Sequence, residues 1–108
     1  MKVLVDVSIF SKQAGSFGNA AGELELPWVP QVGDTISFTV FGSDSPPPPF
    51  GGLLKVTDRV IAASGATSPS LALEDVIVTT AADARAVASY LETVFGLFVT
   101  AYESSAKD

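Results

Sequence analysis

The chain has 108 residues, carries six basic and twelve acidic side chains for a net charge of −6, and contains neither Cys nor His. This composition excludes disulfides, the usual Cys/His zinc sites and every mechanism that needs a Cys nucleophile or a Ser-His pair. The basic residues stand singly, so the sequence also lacks the clustered cations that a nucleic-acid surface requires.

Length and hydropathy predict one folded domain that spans residues 1–108. Hydrophobic side chains make up 47% of the chain and the mean hydropathy is +0.40, which argues against disorder and predicts a homodimer that buries the apolar surplus. No run is long and apolar enough to span a bilayer. The opening MKVLVDVSIF has an Asp inside its apolar run and no cleavage site after it, so we expect a cytoplasmic protein without a signal peptide.

The first two predicted strands are KVLVDVSIF and ELELPW. In the first, Val or Ile at every second position forms one β-branched face, which predicts a strand with at least one buried side. The connecting SKQAGSFGNAAG is rich in Gly and predicts a loop. In the second strand Glu23 and Glu25 share a face. Such a pair can hold a cation or divide acid and base roles, whereas a solvated strand face explains it without a site.

Prolines surround Trp28 in LPWVPQVGD, a run that is similar in composition to small bacterial β-proteins in which a proline-flanked Val-Gly-Asp opens a strand. The prolines end the second strand or place it at a sheet edge. Trp28 itself is either a core residue or a surface anchor. GDTISFTVFG then alternates Ile36, Phe38 and Val40 with polar residues, which predicts a third strand with one buried face.

Four consecutive prolines in SDSPPPPFGG, residues 43–52, allow two interpretations. Ser, Asp and Gly flank the prolines as they do in turns, which favours a stiff surface loop between two strands. Pro46 and Pro49 also match the PxxP spacing of polyproline ligands, and Phe50 would anchor such a segment, although no basic residue orients it before Lys55. We predict the loop and keep the recognition segment as the alternative.

The segments LLKVTDRVIAA and LALEDVIVTT, joined by SGATSPS, predict a hairpin with a loop longer than the tightest ones. Glu74 and Asp75 lie inside the apolar second segment. Because side chains alternate along a strand, we expect at least one of these two carboxylates to point toward the core.

The pattern changes to a helical period in TTAADARAVASYLETVFG. Thr80 and Asp83 predict a capping box at the N-terminus, and Gly96 predicts a left-handed C-terminal cap. The apolar residues between them form a single stripe, so we expect a helix over residues 81–95. LFVTAY after the cap predicts a short final strand, and residues 103–108 a polar tail.

Together these elements predict an α+β fold, an antiparallel sheet of about five to six strands with one C-terminal helix packed on one face and a short final strand after the helix. One helix covers only one face of such a sheet. We therefore expect the other face to be covered either by closure of the sheet on itself or by a partner.

The composition favours a non-enzymatic binding role, and we predict no catalytic residue, metal or cofactor. An acidic chain is repelled by nucleic acid and attracted to basic proteins, so the most specific hypothesis is an immunity or antitoxin protein that occupies a cationic nuclease toxin. The alternative is a small enzyme or ligand-binding protein with a carboxylate-lined pocket at a subunit interface. The candidate binding residues for these hypotheses are Trp28, Asp44, Phe50, Asp58, Arg59, Glu74, Asp75 and Tyr90.

Overall fold

The computed structural model describes residues 1–39, 45–65 and 67–101. Within these ranges seven strands and one helix follow in the order β1 (Lys2–Ser11), β2 (Gly15–Glu25), β3 (Thr35–Ser37), β4 (Leu53–Val60), β5 (Ser70–Leu73), β6 (Val76–Val78), α1 (Ala81–Phe95) and β7 (Phe98–Ala101). The strands form one sheet in the order β3-β4-β5-β1-β2-β7, with β6 also paired to β1. The predicted α+β class, the C-terminal helix and the final strand are confirmed.

The sheet differs from the prediction in strand number and direction. The segment LALEDVIV, predicted as one strand, is divided into β5 and β6, and both run parallel to β1. The hairpin of β4 and β5 is antiparallel, as predicted. Parallel pairing needs a long connection, which the chain between β1 and β5 provides. Local alternation carries no information about the direction of the neighbouring strand, so the sequence pattern could not reveal this pairing.

The Gly-rich run after β1 is a strand, and its prediction as a loop was wrong. Residues 15–22 form most of β2, which pairs with β1 on one side and with β7 on the other. Gly18, Ala20 and Gly22 face α1 and the segment that follows it. A Cβ on Gly18 would overlap the carbonyl oxygen of Thr100, and one on Gly22 would lie 3.2 Å from Leu97 Cδ2. The absence of larger side chains at these positions therefore allows Leu97 and β7 to pack closely against β2. These glycines do not form the loop that the sequence predicted.

Helix α1 begins and ends where the capping residues predict. The Thr80 hydroxyl accepts a hydrogen bond from the Asp83 N–H at 3.0 Å, and Asp83 Oδ2 accepts one from the Thr80 N–H at 3.4 Å, which completes the capping box. Gly96 ends the helix with a φ of 71°. Across the described ranges, no helix has both the length and the apolar character needed to cross a membrane.

The core lies between α1 and one side of the sheet, which we call the inner face. On the sheet it is built from β-branched residues at alternate positions of β1, each almost completely buried: Val3, Val5, Val7 and Ile9. On the helix it is built from Ala84, Val87, Ala88, Tyr90 and Leu91. These side chains belong to one continuous cluster. Among the described residues, no helix covers the opposite side of the sheet. The sequence analysis predicted this, because a single helix can cover only one face.

Candidate functional site

The uncovered side of the sheet, which we call the outer face, follows from strand register. Residues directly opposite each other on neighbouring strands point to the same side of a sheet. Asp6 is opposite Ala21 on β2 and Ala72 on β5, and Ala21 is in turn opposite Phe98 on β7. By this register the outer face contains Lys2, Leu4, Asp6, Ala21, Glu23, Glu25, Asp58, Val60, Ser70, Ala72 and Phe98.

A shallow apolar groove crosses the middle of the outer face. It has a volume of about 480 Å³, and its lining includes Leu4, Asp6, Ala21, Ser70 and Phe98. Phe98 is 82% exposed and Leu4 is 37% exposed. A largely exposed aromatic ring beside further exposed apolar side chains is typical of a protein–protein contact surface.

Carboxylates lie within and beside this groove. Asp6, Glu23, Glu25 and Asp58 are exposed on the outer face, where Lys2 and Lys55 are the basic residues of the described strands. Asp6 belongs to the groove lining, and the other three carboxylates form an acidic rim beside the apolar groove. Such a rim favours a partner of positive charge.

Three of these carboxylates have polar partners, and Asp58 Oδ1 accepts a hydrogen bond from the Arg59 N–H at 2.9 Å. Asn19 Nδ2 donates a hydrogen bond to Asp6 Oδ1 at 2.7 Å. The amino group of Met1 donates one to Glu25 Oε2 at 2.5 Å. That hydrogen bond, the positive charge of the same amino group and, to a lesser extent, Lys2 hold the pKa of Glu25 below its ordinary value. Glu25 is thus ionised at neutral pH.

The pair Glu23 and Glu25 has the solvated environment expected of a strand face. Both side chains are exposed, and Leu24 between them is half-buried on the inner side. Among the residues that the structure describes, no group of three or more Asp and Glu side chains lies close enough together to hold a metal ion.

Trp28 lies on the surface and lines a second groove. Its side chain is 66% exposed. The groove has a volume of about 500 Å³ and is formed by the segment before β3 and by β3 itself: Leu26, Pro27, Trp28, Pro30, Asp34, Thr35, Ile36 and Ser37. Of the two interpretations that the sequence left open for Trp28, the structure shows the exposed one.

Phe50 and Tyr90 lie inside the core. Phe50 is 7% exposed, and its ring lies edge-on to that of Tyr90 with 6.4 Å between centroids. The Tyr90 hydroxyl donates a hydrogen bond to the Phe38 carbonyl oxygen at 2.6 Å. The described part of the Pro-rich segment is thus fixed to the core by its aromatic residue, which favours the loop interpretation. Asp44, another candidate, lies outside the described residues.

The charged candidates near the β4–β5 hairpin are all exposed. Asp58 points to the outer face, whereas Arg59 points to the opposite side and donates from Nη1 to the Pro30 carbonyl oxygen at 3.5 Å. Glu74 Oε2 accepts a hydrogen bond from the Lys55 N–H at 2.9 Å. Glu74 and Asp75 lie between β5 and β6, and neither side chain points into the core. The expectation that one of them would was wrong, because the strand is interrupted at these residues and the alternation does not continue through them.

These placements separate the candidates. Asp58 lies on the outer face, Tyr90 lies beneath the inner face, and Trp28 lies at the groove beside β3. The sequence analysis missed Leu4, Asp6 and Phe98 as site residues. The signal for the first two was present in KVLVDVSIF, because the residues opposite the β-branched face of β1 must lie on the side that one helix cannot cover.

Comparison with known proteins finds no matching family model, no matching curated protein and no matching solved structure. The function has to be inferred from the surfaces of the molecule.

Proposed function

We propose that the chain is a non-enzymatic binding domain whose outer face occupies a basic surface of another protein. The observation that carries this proposal is the composition of that face, an apolar groove that contains Asp6 and the exposed Phe98, with a rim of three further carboxylates and two lysines. The apolar centre supplies contact area that is stabilised only when a partner removes it from water. The rim selects the sign of the partner's charge.

The negative charge of the outer face also favours a basic partner over a second copy of the chain. Two outer faces placed against each other would bring acidic rims together, and like-charge contacts across an interface are unfavourable. A basic surface would instead be attracted at long range, which speeds encounter at low ionic strength. The homodimer predicted from the apolar surplus would therefore use another surface. Sedimentation of a clean monomer at micromolar concentration would remove that prediction.

The most specific form of the proposal is an immunity or antitoxin protein that neutralises a cationic nuclease toxin. The net charge of −6 and the small size support it, since such a protein acts by occupying a basic surface and needs no catalytic group. Its test is a pull-down from the source cell at low salt with the products of neighbouring genes co-expressed. The captured protein should be basic and should be released as the salt concentration rises.

Two charge reversals decide whether the outer face makes this contact. Glu23→Lys changes the outer face, whereas Glu92→Lys makes the same change at an exposed position of α1. Glu23→Lys should weaken binding of the captured protein about fivefold or more, and Glu92→Lys should change it little. Equal losses would mean that net charge rather than the outer face governs binding. Capture of no basic protein at low salt would contradict the proposed function itself.

A further inference from the structure

We propose that the groove beside β3 binds an extended peptide segment of another protein, which pairs with β3 as an added strand. The peptide would place an apolar side chain against Trp28 and a basic side chain beside Asp34. We call this site the edge groove, defined by the eight lining residues given above. Its lining residues all differ from those of the groove beside Phe98, so either proposal can fail without the other.

The first support is the free edge of β3. This strand is the last in the sheet order, and among residues 1–39, 45–65 and 67–101 it pairs only with β4. The Val56 N–H donates to the Asp34 carbonyl at 2.8 Å, and the Phe38 N–H donates to the Gly52 carbonyl. In an antiparallel pair the residues that bond inward alternate with residues that do not. The N–H and C=O groups of Thr35 and Ser37 therefore point away from β4, toward the edge groove.

These outward groups suit a peptide backbone. An unpaired strand edge offers donors and acceptors at the spacing of an extended chain, and strand addition at such an edge is a common mode of peptide recognition. Thr35 and Ser37 are both exposed residues. The backbone contacts would supply affinity, and the side chains of the groove would supply selectivity.

The second support is the position of Trp28. Its ring is largely exposed, although Trp is a residue that gains much from burial. Pro27 precedes it and Pro30 follows two residues later, and their fixed φ angles restrict the segment that carries the ring. Pro30 is also buried and accepts the hydrogen bond from Arg59. A rigid, exposed aromatic side chain beside a free strand edge is suited to anchor a bound side chain.

The third support is charge. Asp34 is the charged residue of the groove lining, and its Oδ2 accepts a hydrogen bond from the Gln31 N–H at 2.8 Å. That bond holds the Asp34 carboxylate within the groove. No described residue of the lining carries a positive charge to compensate it. A Lys or Arg side chain on the peptide would complement it. The occupant is therefore an extended segment with an apolar and a basic side chain two residues apart, because residues i and i+2 of a strand point to the same side.

Trp28 provides a direct readout because it is the only Trp in the chain. The probe is an acetylated and amidated hexapeptide in which one face carries Val and Lys two residues apart and the intervening residues are Thr, titrated into the full chain while Trp28 emission is recorded. We expect a saturable blue shift as the ring leaves water. The same peptide with Glu in place of Lys should cause no shift. The Lys peptide with N-methyl groups on the amides that face β3 should bind at least about tenfold more weakly, because it loses the backbone bonds.

Variants with matched controls locate the site, with binding measured by calorimetry. Trp28→Ala should abolish binding, whereas Phe98→Ala, which removes an exposed ring at the other edge of the sheet, should leave it unchanged. Asp34→Asn keeps an oxygen for the Gln31 N–H and removes the charge, so it should weaken binding about two- to fivefold. Glu92→Gln, an exposed charge outside the groove, should have no effect.

Three results would overturn the proposal. The first is an unchanged Trp28 emission with the Lys peptide up to millimolar concentration. The second is equal binding of the N-methylated peptide, since strand addition requires those amides. The third is a Trp28 shift that follows protein concentration without peptide, because it would mean that a second copy of the chain fills the edge groove. Melting temperatures of the variants show whether each one is folded.

Discussion

On β1, Val3, Val5 and Val7 are almost completely buried beneath α1, whereas Leu4, which lies between the first two, is 37% exposed on the outer face. The inner face thus holds the side chains that stabilise the fold, and the outer face holds apolar side chains that contribute little to it. Burial of apolar surface stabilises a fold in proportion to the area removed from water. The outer face therefore offers surface that a partner, rather than folding, can bury.

The largest expected difference in stability is between a Leu→Ala substitution in the core and one on the outer face. Leu91→Ala on α1 removes a side chain that is 0% exposed and should lower the free energy of unfolding by about 4 kcal/mol. Leu4→Ala on the outer face should lower it by about 1 kcal/mol, because Leu4 is already 37% exposed and its removal leaves no closed cavity. Urea denaturation of both variants measures the difference. Equal losses would mean that the outer face is covered in the free protein.

A second comparison sets two Phe side chains against each other. Phe50→Ala should lower the free energy of unfolding by about 3 kcal/mol, because the ring is buried and packs edge-on against Tyr90. Phe98→Ala should change it by less than about 0.5 kcal/mol and should weaken binding at the outer face. Denaturation together with the pull-down separates the two effects. Lost partner binding in a stable Phe50→Ala variant would instead support the Pro-rich segment as a recognition element.

A third comparison concerns glycines. Gly18→Ala places a Cβ against the Thr100 carbonyl oxygen, so β7 must move and the variant should lose about 2 kcal/mol. Gly51→Ala, where a Cβ would contact nothing within 4 Å, should change stability by no more than about 0.5 kcal/mol. Thermal unfolding measures both. A neutral Gly18→Ala variant would mean that β7 does not pack closely against β2.

Helix α1 and strand β2 explain how much of the fold was predictable. The helix has its start and end encoded by Thr80, Asp83 and Gly96, which act on their immediate neighbours, so its bounds could be predicted from the sequence. In β2 the decisive contacts come from α1 and β7, which are distant in sequence. Gly and Ala in this strand have low intrinsic strand preference and are required by that close packing. Without knowledge of the packing, the same residues predict a loop.

The candidate surfaces were predictable in part. The single helix predicted an uncovered sheet face, whereas the binding role inferred from the composition and the acidic charge stays a prediction. Strand order then determined which residues share that face, and strand order depends on the parallel pairing of β1 with β5 and β6. Phe98 became a candidate only once β7 was known to lie beside β2. Trp28 was a candidate from the sequence, and its exposure resolved the two interpretations.

The smallest expected difference between the faces is in their hydrogen bonds. Tyr90→Phe removes the buried hydroxyl that donates to the Phe38 carbonyl oxygen, and should lower the free energy of unfolding by about 1 to 2 kcal/mol, because that carbonyl loses a buried donor. Asn19→Ala removes the exposed hydrogen bond to Asp6 and should change stability by less than about 0.5 kcal/mol, because water replaces the lost donor. Urea denaturation of the two variants under one buffer condition gives both values. If Asn19→Ala cost as much as Tyr90→Phe, the Asp6 carboxylate would have to be shielded from solvent, and the outer face would not be the open acidic surface on which the proposed binding role depends.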